Sequence, residues 1–235
     1  MSIDLNDAGP QLPPMGELIP DGTFAKLQLK IRPGGSDGAE PLDKGLLKAA
    51  RERDSDVKML DCELIVVSGP MARRKFWQNF TVIGGKRNDK GESIAWNMSR
   101  SVFKAMIDSA LGLNPADKSD AAQAKRTLQC LKHLDGIIFA ARIMVEPATS
   151  DAYQDQNRLA NVVIPGETQY KAVMAGEAVV PDPVNAKPKK ARGSGGTAPG
   201  GTGQQWANQG GAGVNPGAAA TAVSAADQPA WLQSS

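Results

Sequence analysis

An abrupt change in composition near residue 180 limits where this chain can fold. Residues 181–235 hold 10 Gly, 12 Ala and 6 Pro, but only three Val and one Leu. Such a segment buries too little apolar surface to offset the conformational entropy lost on folding. We therefore predict a flexible N-terminal segment over 1–14, one folded domain over 15–178 and a disordered Gly/Ala/Pro-rich tail over 179–235.

The charge of the predicted domain is balanced. Residues 1–180 carry 23 Lys and Arg against 23 Asp and Glu. Contact with a polyanion must therefore come from a local patch, because net charge does not supply it. The first residues lack the basic and apolar regions of a signal peptide. No apolar run approaches the roughly 20 residues of a membrane span, so the sequence predicts a cytoplasmic protein without a membrane contact.

Alternation of apolar and polar side chains predicts a strand over residues 22–32. Its apolar face consists of Ala25, Leu27, Leu29 and Ile31. Its other face carries Phe24, Lys26, Gln28, Lys30 and Arg32. Because successive side chains of a strand point to opposite faces, these cations share one surface of the predicted sheet.

A second pair of alternating segments, 57–67 and 75–83, predicts a hairpin. Pairing Val67 with Lys75 places both phenylalanines of the second strand on the core face and Trp77 on the opposite face. The predicted core face consists of Leu60, Cys62, Leu64, Val66, Phe76, Gln78, Phe80 and Val82.

The remaining elements complete a mixed fold. They are helical turns within 43–53, helices over 98–112 (with Ser99 as N-cap) and 119–133, strands over 137–146 and 158–164, and a short helix over 168–176. The order β-β-β-α-α-β-β predicts an α+β fold. We expect a curved antiparallel five-stranded sheet or a partly open OB-like barrel with two inserted helices.

The sequence lacks a complete catalytic or metal-binding motif. His133 is the single histidine, and the two cysteines form no C-x-x-C pattern. Residues 84–86 (Gly-Gly-Lys) lack the spacing of a phosphate-binding loop. Asp61 and Glu63 share a strand face and could act as paired carboxylates, although a solvated strand face is the simpler interpretation. We therefore predict a protein that is not an enzyme and holds no cofactor or metal.

A basic and aromatic pattern suggests a function. Between residues 71 and 104 there are eight Lys and Arg against two acidic residues. Proteins bind single strands with cations that contact phosphates and with aromatic rings on which bases stack. Each stacked base contributes about 1–3 kcal/mol. The alternative is that a helix covers Trp77 as part of a second core. The candidate nucleic-acid-binding residues are Lys26, Lys30, Arg32, Arg73, Arg74, Lys75, Trp77, Lys86 and Arg87.

Several short motifs resemble a phage and prophage family of small uncharacterised proteins. They are Leu18-Ile-Pro-Asp-Gly-Thr-Phe24, Met59-Leu-Asp-Cys-Glu63, Gly69, Arg74-Lys-Phe-Trp-Gln-Asn79 and Ala110-Leu-Gly112. That family is commonly taken to bind single-stranded DNA or to assist recombination, with an OB-like barrel.

The resemblance implies a role accessory to replication or recombination. The implied partner is single-stranded DNA, with RNA as the alternative, together with replication or recombination proteins. The resemblance is compatible with an oligomer and does not specify the number of subunits. The tail lacks the acidic tip of bacterial single-strand-binding proteins, because Asp227 is the one acid among its last 20 residues. A structural or protein-interaction phage protein without nucleic-acid binding is the alternative function.

Overall fold

The computed structural model describes residues 18–150 and 152–184, so the predicted segment 1–14 and residues 185–235 of the predicted tail lie outside the described residues. The described chain forms a six-stranded antiparallel sheet, which is open, and three α-helices. The strands are β1 (Thr23–Arg32), β2 (Lys48–Ala49), β3 (Lys58–Val66), β4 (Lys75–Ile83), β5 (Ile138–Glu146) and β6 (Gln156–Val162). The helices are α1 (Ile94–Leu111), α2 (Asp120–Arg126) and α3 (Tyr170–Ala175), with 3₁₀ turns at Pro41–Asp43 and Leu131–Leu134. Among the described residues, no helix combines the length and apolar character needed to cross a membrane.

The sheet is built on β1. This strand pairs along one edge with β3 and along the other edge with β5, in both cases antiparallel. β4 pairs with the far edge of β3, and β6 pairs with β5. The five long strands therefore follow the order β4-β3-β1-β5-β6, and β2 pairs with the first residues of β3.

Two side chains bridge the space between β4 and β6, the outer strands of this order. The Leu159 amide donates to Oε1 of Gln78 at 2.9 Å. Nη1 of Arg158 donates to the carbonyl of Trp77, also at 2.9 Å. The sheet curves enough to bring β4 and β6 close to each other. No backbone ladder joins these two strands, so the sheet does not close into a barrel.

The predicted core face of the sheet is buried. Ring contacts extend it to α1, where Phe80 meets Phe103 edge-on with centroids 5.2 Å apart. The buried strand residues include Ala25, Leu27, Leu29, Ile31, Leu60, Cys62, Leu64, Val66, Phe76, Phe80 and Val82. The alternation in the sequence therefore assigned the inner face of these three strands correctly.

The predicted hairpin register is wrong by two residues. Lys75 pairs with Ile65 rather than with Val67. The cause lies in the connecting loop, where the Arg73 amide donates to the Val66 carbonyl at 2.8 Å and Arg73 adopts a left-handed φ of 69°. Because a shift of two keeps every side chain on its own face, the core assignment survives the wrong pairing.

The first inserted helix begins earlier than predicted. Its N-cap is Ser93, whose hydroxyl accepts a hydrogen bond from the Trp96 amide at 3.1 Å. Ser99, the predicted N-cap, lies inside the helix, where its hydroxyl donates to a carbonyl one turn earlier. The helix ends as predicted at Gly112, whose φ of 65° suits a glycine.

The second inserted helix ends at Arg126, well short of residue 133. The Arg126 guanidinium donates to the carbonyls of Asn114 and Asp117 and contacts the buried carboxylate of Asp108. Further on, the buried carboxylate of Asp43 accepts two backbone amides of the second 3₁₀ turn, each at 3.1 Å. These long-range bonds hold the chain in an extended segment and a 3₁₀ turn where more helix was expected.

Two further segments differ from the expectation or extend it. The helical turns expected within 43–53 are absent there beyond the first 3₁₀ turn, and β2 adds a sixth strand. Residues 179–184, the part of the predicted tail that is described, lie against the start of β1. The Asp182 amide donates to the Gly22 carbonyl at 3.0 Å, and the Val184 amide donates to Asp21 at 2.7 Å.

We expect Phe80→Ala to destabilise the domain by about 3–5 kcal/mol, because the ring is 4% exposed and its removal leaves a cavity against α1. Urea denaturation followed by circular dichroism measures this loss. Asn79→Ala, one residue away on the exposed face, is the matched control and should change little. An unchanged midpoint for Phe80→Ala would contradict this description of the core.

Candidate nucleic-acid interface

The side chains of β1, β3 and β4 that point away from the core form one surface, called here the outer face. Its three cross-strand rows are Gln28–Ile65–Lys75, Lys30–Glu63–Trp77 and Arg32–Asp61–Asn79. Cations therefore occupy the two flanking strands, and acids occupy the middle strand. Four candidate binding residues, Lys30, Arg32, Lys75 and Trp77, are brought together on this face.

Trp77 lies on the outer face with 47% of its surface exposed. No helix of the described chain covers it, so the alternative of a second core around this ring is wrong. Glu63, and not Ile65, is its partner on β3, as follows from the corrected register. An exposed indole next to charged side chains is available for contact with a ligand.

The acids in the middle of the outer face are paired with lysines. Glu63 lies 3.4 Å from Nζ of Lys75, and Asp61 lies 2.8 Å from Nζ of Lys48. Asp61 is buried, while Glu63 is partly exposed. Each acid thus has its own cation as a partner, and the described residues contain no group of three or more potential metal ligands.

Lys30 and Arg32 remain as exposed cations. Neither forms an ion pair within the residues that the structure describes. Lys48, which neutralises Asp61, was missed in the sequence because a two-residue strand gives no alternation to detect. Its pairing matters for the site, because it lowers the negative charge that Arg32 and any bound anion would meet.

A second group of candidates lies at the end of the outer face next to the hairpin loop. The Lys26 carbonyl accepts from the Val67 amide at 3.0 Å, which joins β1 to this loop. Arg73 is exposed, and Arg74 is half-buried at the entry to β4. Lys26, Arg73 and Arg74 therefore belong to one region, called here the hairpin-loop end.

Lys86 and Arg87 lie at the other end of β4. Nine residues at about 3.3 Å each put them roughly 30 Å from Arg74. Their loop is held by its own hydrogen bonds, among them Arg87 Nη1 to the Gly91 carbonyl at 2.9 Å. Hydrogen bonds from the side-chain amides of Asn88 and Asn97 lower the pKa of Glu92 in the same loop. The candidate residues thus form a band along β4 and not a compact cluster.

Arg158 of β6 is a cation near Trp77 that the sequence did not assign to the site. Besides its bond to the Trp77 carbonyl, it forms an ion pair with Glu146 at 2.9 Å. The sequence places Arg158 in a strand, but it gives no signal that β6 lies across the opening from β4. Arg158 therefore adds a polar group beside Trp77, with its charge paired to Glu146.

The two thiols offer no reactive group. Cys62 and Cys130 are both buried. Burial, with a smaller contribution from the neighbouring Asp61 charge, raises the pKa of the Cys62 thiol far above its ordinary value. Since the thiolate is the nucleophilic form, Cys62 is inert at neutral pH.

The geometry of the outer face is the basis on which the function of this chain can be inferred. Comparison with protein-family models, with curated proteins and with solved structures found no match for the chain.

Proposed function

We propose that this chain binds single-stranded DNA along the outer face of β1, β3 and β4. The observation that carries the proposal is the row Lys30–Glu63–Trp77, in which a half-exposed indole lies on a sheet face flanked by cations. A single strand needs two kinds of contact, base stacking and phosphate neutralisation, and this row offers both.

The proposal includes a finer description of the sheet as a partly open OB-like barrel. Supporting it are the strand order β4-β3-β1-β5-β6, the position of α1 between β4 and β5 in the chain, and the bridged opening between β4 and β6. OB-folds are five-stranded, partly open barrels that bind oligonucleotides on the face of their second and third strands. Among the long strands of this chain, those are β3 and β4.

The charge distribution supports a path for the strand along β4. Phosphates would meet Arg73 and Arg74 at the hairpin-loop end, Lys30 and Arg32 in the middle, and the loop with Lys86 and Arg87 at the far end. This band is about 30 Å long. Single-strand sites of about 4–16 nucleotides per OB-fold are of comparable extent.

The proposed biological role is accessory to DNA replication or recombination in a phage or prophage. This part of the proposal rests on the sequence resemblance alone. RNA could use the same stacking and phosphate contacts, so the preference between the two is a matter for parallel titrations with DNA and RNA of one sequence.

A protein-interaction module is the second candidate function. It is favoured by the acids Asp61 and Glu63, which oppose a polyanion in the middle of the outer face. Trp77 and Arg158 would then serve as anchors, since Trp and Arg dominate the binding energy of protein interfaces. Retention on a single-stranded DNA column that weakens with salt supports the first candidate, and absence of retention supports the second.

Trp77→Ala should lose about 1–3 kcal/mol of affinity for a single-stranded oligonucleotide, because stacking on the indole is removed. Its melting temperature should stay near that of the parent, because the ring is 47% exposed. Fluorescence anisotropy and thermal melting of the same preparation measure both quantities, with Tyr153→Ala, which removes an exposed ring outside the outer face, as the matched control. A folded Trp77→Ala protein with parental affinity would remove this residue from the site.

Replacing Arg73 and Arg74 together with Ala should weaken binding to all single-stranded sequences alike. The plot of log affinity against log salt should flatten by about 0.7 per lost phosphate contact. Lys171→Ala, at an exposed position of α3, provides a control for loss of positive charge elsewhere. If affinity and slope are both unchanged in the double variant, phosphates do not contact the hairpin-loop end.

Glu63→Gln should tighten single-strand binding by up to about fivefold, within the roughly 1 kcal/mol of an exposed ion pair. The substitution removes a negative charge from the centre of the outer face and releases Lys75 from its 3.4 Å contact. Anisotropy titrations compare it with Glu167→Gln, a charge loss at an exposed residue before α3. Weaker binding by Glu63→Gln would mean that the carboxylate contacts the ligand, as a protein partner would require.

A further inference from the structure

A small apolar crevice adjoins the hairpin-loop end of the outer face. It lies between the start of β1, the loop that precedes β4 and the segment that follows α3, and its volume is about 220 Å³. Apolar walls come from Phe24, Pro70, Met71, Val173 and Val179. Pro70 and Met71, which form one wall, are followed in the same loop by Arg73 and Arg74, so the crevice lies near the proposed phosphate contacts.

One wall of the crevice holds a hydroxyl without a partner. Ser68 lines it with 8% of its surface exposed, and its side chain makes no hydrogen bond to another residue of the described chain. Buried hydroxyls in proteins are nearly always hydrogen-bonded. A polar group of a ligand in the crevice would therefore find a bonding partner in this hydroxyl.

The wall of the crevice beside this hydroxyl is formed by a glycine. Gly176, at the end of α3, has a φ of 80°. A Cβ built on Gly176 would lie 3.2 Å from both Cβ and Oγ of Ser68. Gly176 therefore lies close against Ser68, and a side chain there would press on the hydroxyl that lines the crevice.

We infer that this crevice receives one unstacked base of the bound single strand, while Arg73 and Arg74 hold the adjacent phosphates. The inference rests on the proposed function and adds to it a site at the hairpin-loop end of the outer face. The crevice is smaller than the roughly 300–1,000 Å³ of pockets for drug-sized ligands, which suits one flat ring. Its apolar walls contact the faces of the ring, and the Ser68 hydroxyl can rotate to donate or accept at the edge of any base.

The test uses single-stranded oligonucleotides with one 2-aminopurine placed at each position in turn, since this base fluoresces more strongly when it leaves the stack. Ala178→Phe adds a ring at an exposed residue that lines the crevice and so fills the space. Ala175→Phe adds the same ring at an exposed position of α3 that does not line it. Ser68→Ala removes the hydroxyl and keeps the space, and thermal melting verifies that each variant is folded.

With the parent and with Ala175→Phe, fluorescence should rise on binding at a defined position of the oligonucleotide. With Ala178→Phe this rise should vanish and affinity should fall by about 5- to 100-fold, the equivalent of one base contact. Ser68→Ala should keep the fluorescence rise and bind the oligonucleotide more weakly than the parent. This loss of affinity tests the inference if Ala178→Phe does not fold.

The outcomes separate the inference from the proposed function. If the parent binds the oligonucleotides but the crevice variants match it in affinity and fluorescence, the base site is wrong and single-strand binding stands. If the parent binds none of them, the proposed function is wrong and the base site is overturned with it.

Discussion

The pairing of β1 with β3 on one edge and with β5 on the other is the constraint on which the rest of the structure depends. Thr23 of β1 pairs with Ile143, across about 120 residues of chain. Closing so long a loop costs conformational entropy, which is lost before the contact between the strands stabilises the fold. The fully buried Leu27 and Leu29 provide the apolar surface that offsets this cost. The same strand turns Lys30 and Arg32 outward, so a slip of one residue would disrupt the core and the candidate site together.

Where the backbone of this sheet lacks a neighbouring strand, side chains form hydrogen bonds with its amides and carbonyls. Asn157 is buried, and its amide group both accepts from the Ile19 amide and donates to the Ile19 carbonyl, each at 2.8 Å. Asp135 accepts the Ile31 amide at 2.7 Å in the same manner. Together with Gln78 and Arg158 at the opening, these groups satisfy edge backbone that no strand pairs. An open sheet can therefore exist here without leaving many buried polar groups unpaired.

Local signals account for what the sequence predicted correctly, and long-range contacts account for what it missed. Alternation with a period of two assigns the faces of a strand, so the core set and the shared face of Lys30 and Trp77 were predictable. The hairpin register depends on the left-handed Arg73, and the end of α2 depends on carbonyls that Arg126 reaches elsewhere in the chain. The neighbours of Trp77 were missed for the same reason, because Arg158 comes from a strand 81 residues away.

The segment that follows α3 shows that the packed domain and the Gly/Ala/Pro-rich composition do not change over at the same residue. A Cβ on Gly22 would clash with the Asp182 carbonyl, so this segment is in direct contact with the backbone before β1. Asp182 also binds the guanidinium of Arg142, which lies 5.7 Å above the ring of Phe24. A fragment cut where the Gly/Ala/Pro composition begins would lose these contacts and uncover that ring. The energetic boundary of the domain therefore lies a few residues inside the segment whose composition resembles a linker.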